Sequence, residues 1–131
     1  MRDTGFTPLV VSQIWERDRG CCARCGLGLV RERRGDDWAI HHREPRGRGG
    51  AGRKRWWVNL PSNGVLLCTA CHVAVESDHA EATAAGFIVS ALGVVRPHAA
   101  RIVHALLGPV FLTNAGGWES ATPDEPQAVA A

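Results

Sequence analysis

The apolar residues of this chain fall in short clusters, and glycine, proline or charged residues separate one cluster from the next. Residues 12–19 begin at Ser12 and end before Gly20, which predicts a short helix with Ser12 as its N-cap. Residues 38–41 follow an Asp-Asp turn and contain tryptophan and isoleucine, which predicts a strand. Residues 43–55 have four glycines, no large apolar residue and a net charge of +5, so they predict a loop.

The second half of the chain also consists of short elements. Residues 64–67 predict an apolar strand, and the alanine-rich residues 72–85 predict a helix closed by Gly86. Residues 87–90 predict another strand, and residues 101–113 predict a β-hairpin. The sequence therefore predicts an α+β fold.

A chain of 131 residues is long enough for one small core. We assign residues 1–90 to the principal domain, with its core at 12–90, residues 91–119 to a β appendix, and residues 120–131 to a disordered tail. No apolar run approaches the ~18 residues of a membrane span, and the N-terminus lacks the apolar segment of a signal peptide. These features predict a cytoplasmic protein with reduced thiols and no membrane partner.

Charge is distributed unevenly along the chain. Residues 1–60 hold 13 Lys and Arg against 7 Asp and Glu, whereas residues 61–131 hold 2 against 6, so the two parts carry +6 and −4. Fourteen of the fifteen cations are arginine, whose planar fork binds phosphate at two points. This favours a polyanion as partner, although a GC-rich genome would also enrich arginine.

Four of the five cysteines form two Cys-x-x-Cys pairs, Cys22 with Cys25 and Cys68 with Cys71. Two such pairs in a chain without a secretion signal predict one structural Zn²⁺ held by four thiolates rather than disulfides. Cys21 could replace Cys22 in this site. The 42 residues between Cys25 and Cys68 then form an insert on the zinc site.

Two adjacent histidines, His41 and His42, end the strand that leads into the basic loop. Neighbours in a strand face opposite sides, so one can bind a metal ion while the other faces substrate. If this strand packs across the helix that begins near His72, His41 and His72 could share a second metal ion. Glu76 and His79 lie at i+4 and i+7 from His72, and either could complete that site. His72 could instead be the fourth zinc ligand.

The order of these motifs resembles the HNH endonuclease family. The order is Cys-x-x-Cys, His-His after a strand, an asparagine, and then Leu-Cys-x-x-Cys-His. Residues 38–50 and 61–77 are similar in particular to HNH proteins of actinobacterial phages, and the likeness covers about residues 12–90. The resemblance implies a small ββα-metal HNH domain stabilised by a four-cysteine zinc site, with a C-terminal β-hairpin appendix.

The resemblance also implies roles for individual residues. His41 takes the position of the first metal ligand, His42 that of the general base, and His72 that of the final metal-binding histidine. Asn63 falls at the middle asparagine of the family and would fix the loop that carries His42. Asn59 is a weaker candidate for the same position.

The implied chemistry is hydrolysis of DNA phosphodiester bonds with one divalent ion, Mg²⁺, Mn²⁺, Ni²⁺ or Zn²⁺. Where some relatives have a third histidine ligand, this chain has Glu76, a weak candidate. The basic loop would hold flanking phosphates of double-stranded DNA and give little sequence preference. Its candidate DNA-binding residues are Arg43, Arg46, Arg48, Arg53, Lys54 and Arg55.

The likeness to phage proteins implies a role in DNA packaging, with the phage terminase as partner and the cytoplasm of the host cell as location. The alternative function is a zinc-stabilised DNA-binding or adaptor domain without catalysis, which needs both cysteine pairs and the basic loop but not His42. A third hypothesis is that the chain is an interaction protein whose β appendix contacts a partner.

Overall fold

The computed structural model describes residues 5–47 and 55–122. Within these residues the helices are α1 (Pro8–Arg17), α2 (Thr69–Ser77) and α3 (His79–Ala85). The strands are β1 (Trp38–His42), β2 (Gly64–Cys68), β3 (Ile102–His104), β4 (Gly108–Leu112) and β5 (Trp118–Ser120). The α+β class predicted from the sequence is confirmed.

Strands β1 and β2 form an antiparallel pair, with His41 opposite Val65 and His42 opposite Gly64. Helix α2 follows β2 directly, so the two strands and the helix form one ββα unit. Gly64 allows a close approach, because a Cβ there would lie 2.6 Å from Ile14 Cδ1 and 2.9 Å from Phe6 Cζ and would force these side chains to shift. This close approach places α1 and the N-terminal segment against the end of β1 that carries the two histidines.

Strand β2 is buried along its whole length because it lies between two apolar cores. Side chains alternate along a strand, so Val65 and Leu67 enter one core and Leu66 enters the other. The first core contains Cys22, Ala23, Val65, Leu67, Cys68, Cys71, Val75, Ala82, Phe87, Ile102, Val110 and Leu112. The second contains Phe6, Val11, Ile14, Trp38, Ile40 and Leu66.

Strands β3, β4 and β5 form a second antiparallel sheet in that order. Its inward side chains Ile102, Val110 and Leu112 share the first core with Val65 and Leu67 of β2. The C-terminal β segment is therefore a three-stranded sheet packed on the ββα unit, whereas the sequence predicted a hairpin.

Helix α1 begins earlier than the sequence predicted. Ser12 lies inside it, and the N-cap is Thr7, whose Oγ1 accepts a hydrogen bond from the backbone N–H of Val10 at 3.2 Å. Pro8 follows in the first turn, where its missing N–H costs nothing. The prediction of Ser12 as N-cap was wrong because a second capping residue stands five positions before it.

The helix predicted over residues 72–85 is two helices. Asp78 leaves helical geometry and caps α3, because its Oδ1 accepts a hydrogen bond from the backbone N–H of Glu81. Gly86 ends α3 in the left-handed region at φ 88°, as a C′ glycine does. Residues 87–90 form no strand in the structure.

The sequence predicted a disordered tail over residues 120–131. Ser120 is instead the last residue of β5, and residues 123–131 lie outside the described residues. Among the described residues, no helix has the length and apolar character needed to cross a membrane.

The carboxylate of Asp18, which follows α1, is buried and joins three elements. Its Oδ1 accepts hydrogen bonds from Arg17 Nε at 2.8 Å and from His104 Nε2 at 2.9 Å, and its Oδ2 accepts one from the backbone N–H of Leu66 at 3.0 Å. Arg17 also donates to the carbonyl of Gly64. Burial alone would raise the pKa of Asp18, but Arg17 and His104 together outweigh burial and hold that pKa below its ordinary value.

Replacing Asp18 by asparagine should lower the free energy of unfolding by about 3–5 kcal/mol, because the Arg17 guanidinium would stay buried without its counter-charge. Asp36→Asn is the matched control, because Asp36 is exposed and forms only a long ion pair, in which its Oδ2 lies 3.8 Å from Nη1 of Arg33. It should change the free energy of unfolding by no more than about 0.5 kcal/mol. Urea unfolding at one fixed zinc concentration measures both variants, and equal effects would contradict the role given to Asp18.

Candidate active site

The two Cys-x-x-Cys pairs come together in space. The four sulfur atoms lie within 4.8 Å of one another and belong to Cys22, Cys25, Cys68 and Cys71. The first pair is attached to β2, because the backbone N–H of Ala23 donates to the carbonyl of Leu66 at 2.7 Å. The second pair lies where β2 ends and α2 begins. One strand end therefore positions all four thiols.

These four thiols fit a structural zinc ion. Burial, followed by the neighbouring thiols of Cys68 and Cys22, raises the pKa of Cys71 to about 12, although a hydrogen bond from Arg24 acts in the opposite direction. A Zn²⁺ ion bound to all four sulfur atoms would stabilise their thiolate forms. Cys21 lies outside the group, and its Sγ contacts the carbonyl of Arg19 at 3.4 Å. The geometry therefore favours Cys22 over Cys21 as the ligand.

His41, His72 and Glu76 form a second group, in which one ligand atom from each residue lies within 4.8 Å of the others. His41 comes from β1, and the other two lie one turn apart on α2. The ring centroids of His41 and His72 are 5.4 Å apart. Two imidazoles and a carboxylate are a donor set that suits a divalent ion. His72 therefore lies with this group and not with the cysteines.

A backbone carbonyl orients His41. Its Nε2 lies 2.7 Å from the carbonyl oxygen of Phe87, and because that oxygen can only accept, Nε2 carries the proton. The lone pair on Nδ1 is then available to a metal ion. Burial lowers the pKa of His41 to about 4, so the ring is neutral at neutral pH, as a metal ligand has to be.

His42 has different partners from His41. Its ring stacks on Phe6, with centroids 4.2 Å apart and planes 16° from parallel. Its Nε2 lies 3.0 Å from Asn59 Oδ1, so with the amide oxygen as acceptor Nε2 carries the proton and Nδ1 keeps its lone pair. Burial lowers the pKa of His42 more than the bond to Asn59 raises it. The ring is thus held as a neutral proton acceptor.

Asn63 holds the loop that leaves β1. Its Oδ1 accepts a hydrogen bond from the backbone N–H of Glu44 at 2.7 Å, and its Nδ2 donates to the carbonyls of Glu44 and Val58 at 2.9 and 2.8 Å. Asn63 therefore contacts the backbone two residues after His42, whereas Asn59 contacts the His42 ring itself. The sequence predicted Asn63 as the residue that fixes this loop and Asn59 as a weaker candidate for the same position, and the structure gives the two asparagines different contacts.

The prediction that Arg43 contacts DNA is wrong. Its side chain is fully buried, with 0% exposed, and burial lowers the pKa of Arg43 to about 9. A residue enclosed in this way cannot reach a phosphate. Its guanidinium instead donates to the carbonyls of Ser62, Gly86, Pro97 and Ala100 at 2.8 to 3.0 Å.

The other predicted DNA-binding residues differ in environment. Arg55 is partly buried and forms an ion pair with Glu44 at 2.9 Å, and it also donates to the carbonyls of Pro45 and Arg46. The side chain of Arg46 is half-buried. Arg48, Arg53 and Lys54 lie outside the described residues.

A cavity of about 600 Å³ contains the second metal-binding group. His41, His42, His72, Glu76 and His79 all line it. Two contacts that position histidines of this cavity were not visible in the sequence pattern, namely the ring of Phe6 on His42 and the carbonyl of Phe87 on His41. Neither follows from a motif, because a ring contact and a backbone carbonyl leave no spacing signal.

Replacing Cys25 by serine should reduce the zinc content from one ion per chain to near zero and lower the melting temperature, because zinc binding contributes folding energy directly. The matched control is Cys21→Ser, which removes a nearby thiol from outside the group and should keep the ion. Elemental analysis and thermal melts measure both. Zinc retained by Cys25→Ser, or lost from Cys21→Ser, would contradict the assignment.

Replacing His72 by alanine should weaken Mn²⁺ binding at the second group at least about tenfold. Zinc content and melting temperature should stay close to wild type, because His72 is only half-buried. Calorimetric titration of the zinc-loaded protein measures the affinity, with His98→Ala as the control for an exposed histidine outside the cavity. Unchanged Mn²⁺ affinity in His72→Ala would count against this site.

Comparison with known proteins agrees with this geometry. Residues 22–78 match the family model of the HNH endonuclease, and this stretch contains both cysteine pairs, β1, β2 and α2. No curated protein and no solved structure matches the chain. The stretch of residues 22–78 is thus similar to HNH endonuclease domains, and it contains both the four-cysteine group and the His-His-Glu group.

Proposed function

We propose that this protein is a metal-dependent endonuclease that hydrolyses phosphodiester bonds of double-stranded DNA with weak sequence preference. One observation supports this most directly: His42 lines the same cavity as the group of His41, His72 and Glu76. A proton acceptor beside a set of metal ligands is what hydrolysis of a phosphodiester requires.

In this proposal His42 is the general base. Its Nδ1 removes a proton from a water molecule, and the oxygen of that water attacks phosphorus. The hydrogen bond from Nε2 to Asn59 fixes the tautomer that leaves Nδ1 free. Phe6 packs flat on the ring and limits its rotation, so the base is held in one orientation before substrate binds.

His41, His72 and Glu76 would hold the divalent ion, which is Mg²⁺, Mn²⁺, Ni²⁺ or Zn²⁺. When bound, such an ion neutralises charge on the scissile phosphate. The hydrogen bond from His41 Nε2 to the carbonyl of Phe87 leaves Nδ1 of His41 free to bind the ion. Asn63 supports the arrangement indirectly, because it fixes the loop that follows His42.

DNA binding in this proposal depends on phosphate contacts from the basic loop, namely Arg46, Arg48, Arg53, Lys54 and Arg55. Arg43 is excluded because it is buried. Contacts to phosphate carry little sequence information and weaken steeply with salt. Neither the family match nor the fold supports the phage terminase as a partner, so DNA packaging is not part of this proposal.

Replacing His42 by alanine should slow nicking of supercoiled plasmid by about 10²–10⁴-fold and leave DNA affinity unchanged. Asn59→Ala should cause a smaller loss, about 10–100-fold, because it only orients the base. Gel assays with Mg²⁺, Mn²⁺, Ni²⁺ or Zn²⁺ measure nicking, and fluorescence anisotropy measures affinity.

The outcomes separate the proposed function from its alternative. Equal digestion by wild type and His42→Ala would show that the base assignment is wrong or that the activity is a contaminant. A wild-type protein that binds DNA but cleaves it with none of the four ions would instead be a zinc-stabilised DNA-binding or adaptor domain.

A further inference from the structure

His79 lines the cavity but is neither the proposed general base nor one of the proposed metal ligands. It lies in the same cavity as His41, His42, His72 and Glu76. Of the six histidines in the chain, four therefore line one cavity. His79 is outside the group of three side chains whose ligand atoms lie together, so that group does not account for it.

The local structure fixes the position of His79. Helix α2 ends at Ser77, and Asp78 turns the chain and caps α3 by accepting from the N–H of Glu81 at 3.1 Å. Ala82, one turn after His79, is fully buried in the first core, so the start of α3 cannot shift without disturbing that core. The side chain of His79 remains exposed. It is therefore anchored by its helix and accessible to substrate.

Hydrolysis of a phosphodiester needs two proton transfers. The attacking water has to lose a proton, and the departing 3′ oxygen has to gain one. Because the attacking and leaving oxygens are roughly in line through phosphorus, one side chain cannot serve both. His42 enters the cavity from β1 and His79 enters it from α3, so the two imidazoles come from different elements.

We propose that His79 is the general acid that protonates the leaving 3′ oxygen, an assignment that rests on the proposed nuclease function. The water oxygen forms a bond to phosphorus while its proton moves to Nδ1 of His42. The bond between phosphorus and the 3′ oxygen breaks, its electron pair stays on that oxygen, and the proton of the His79 imidazolium moves there.

The products of this step are a 5′-phosphate and a 3′-hydroxyl. His42 is left protonated and His79 neutral, and proton exchange with solvent restores both residues. General acid catalysis by a positioned imidazole contributes about 10²–10⁴-fold to a rate.

An ester whose leaving group needs no proton distinguishes a general acid from a residue that only positions the substrate or other side chains. Thymidine 5′-(4-nitrophenyl phosphate) carries 4-nitrophenolate in place of the 3′ nucleoside, and this anion departs unprotonated. His79→Asn should lower kcat on plasmid DNA about 10²-fold or more and leave the release of 4-nitrophenolate unchanged. His42→Ala should slow both reactions, because both need attack by water.

Matched controls test whether His79→Asn acts through folding or metal binding. Its zinc content, melting temperature and Mn²⁺ affinity should equal those of wild type. His98→Asn replaces an exposed histidine outside the cavity and should keep full activity on both substrates.

Three results would overturn the assignment. Equal losses on plasmid and ester in His79→Asn would make His79 a positioning residue, and full plasmid activity would leave it without a role. In both cases, the expected losses in His42→Ala would leave the nuclease function standing. If wild type hydrolyses neither substrate with any of the four ions, the nuclease proposal fails and the acid assignment fails with it.

Discussion

The buried guanidinium of Arg43 connects the end of β1 to the rest of the molecule. Arg43 follows His42 directly, and its guanidinium N–H groups donate to four backbone carbonyls. Burying a cation is costly unless it is compensated, and here several carbonyl dipoles surround the charge. The strand end that carries both histidines is therefore tied to the segments that supply those carbonyls, at Ser62, Gly86, Pro97 and Ala100.

The chain beyond the ββα unit acts on the site through its backbone. The carbonyl of Phe87 orients His41, and the carbonyl of Gly86 binds Arg43. Position 86 has to be glycine, because its φ of 88° is left-handed and a Cβ there would collide with the carbonyl oxygen of Arg101. The turn after α3 is thus a part of the framework of the candidate active site, although it contributes backbone atoms rather than a recognisable motif.

Much of the site could be predicted because several of its candidate metal ligands lie close to one another in the sequence. A Cys-x-x-Cys turn brings two thiols together by itself, and His72 and Glu76 share a helix face one turn apart. Both metal-binding groups therefore follow from short stretches of sequence and from the order of β1, β2 and α2. Asn59 was less visible, because its contact with His42 depends on how the loop between β1 and β2 folds back.

Burial of a charged residue could not be predicted in the same way. In the sequence Arg43 resembles the other arginines of its loop, and its partner Ala100 lies 57 residues away. The start of α1 shows a similar limit, since Thr7 and Ser12 are both good caps and tertiary packing decides between them. Contacts between distant segments carry no periodic signal, so the interior polar network was the part that sequence patterns missed.

Phe6 stands outside residues 22–78 and yet covers the His42 ring, and the glycine opposite His42 leaves just enough room for it. The stretch that matches the family model is consequently not sufficient to hold the two histidines as the whole chain holds them. A fragment limited to residues 22–78 would expose one face of the His42 ring. It would also lose the Phe87 carbonyl, which accepts a hydrogen bond from the His41 ring. A graft of this domain onto another protein therefore has to include the N-terminal segment from residue 5 and the C-terminal sheet together.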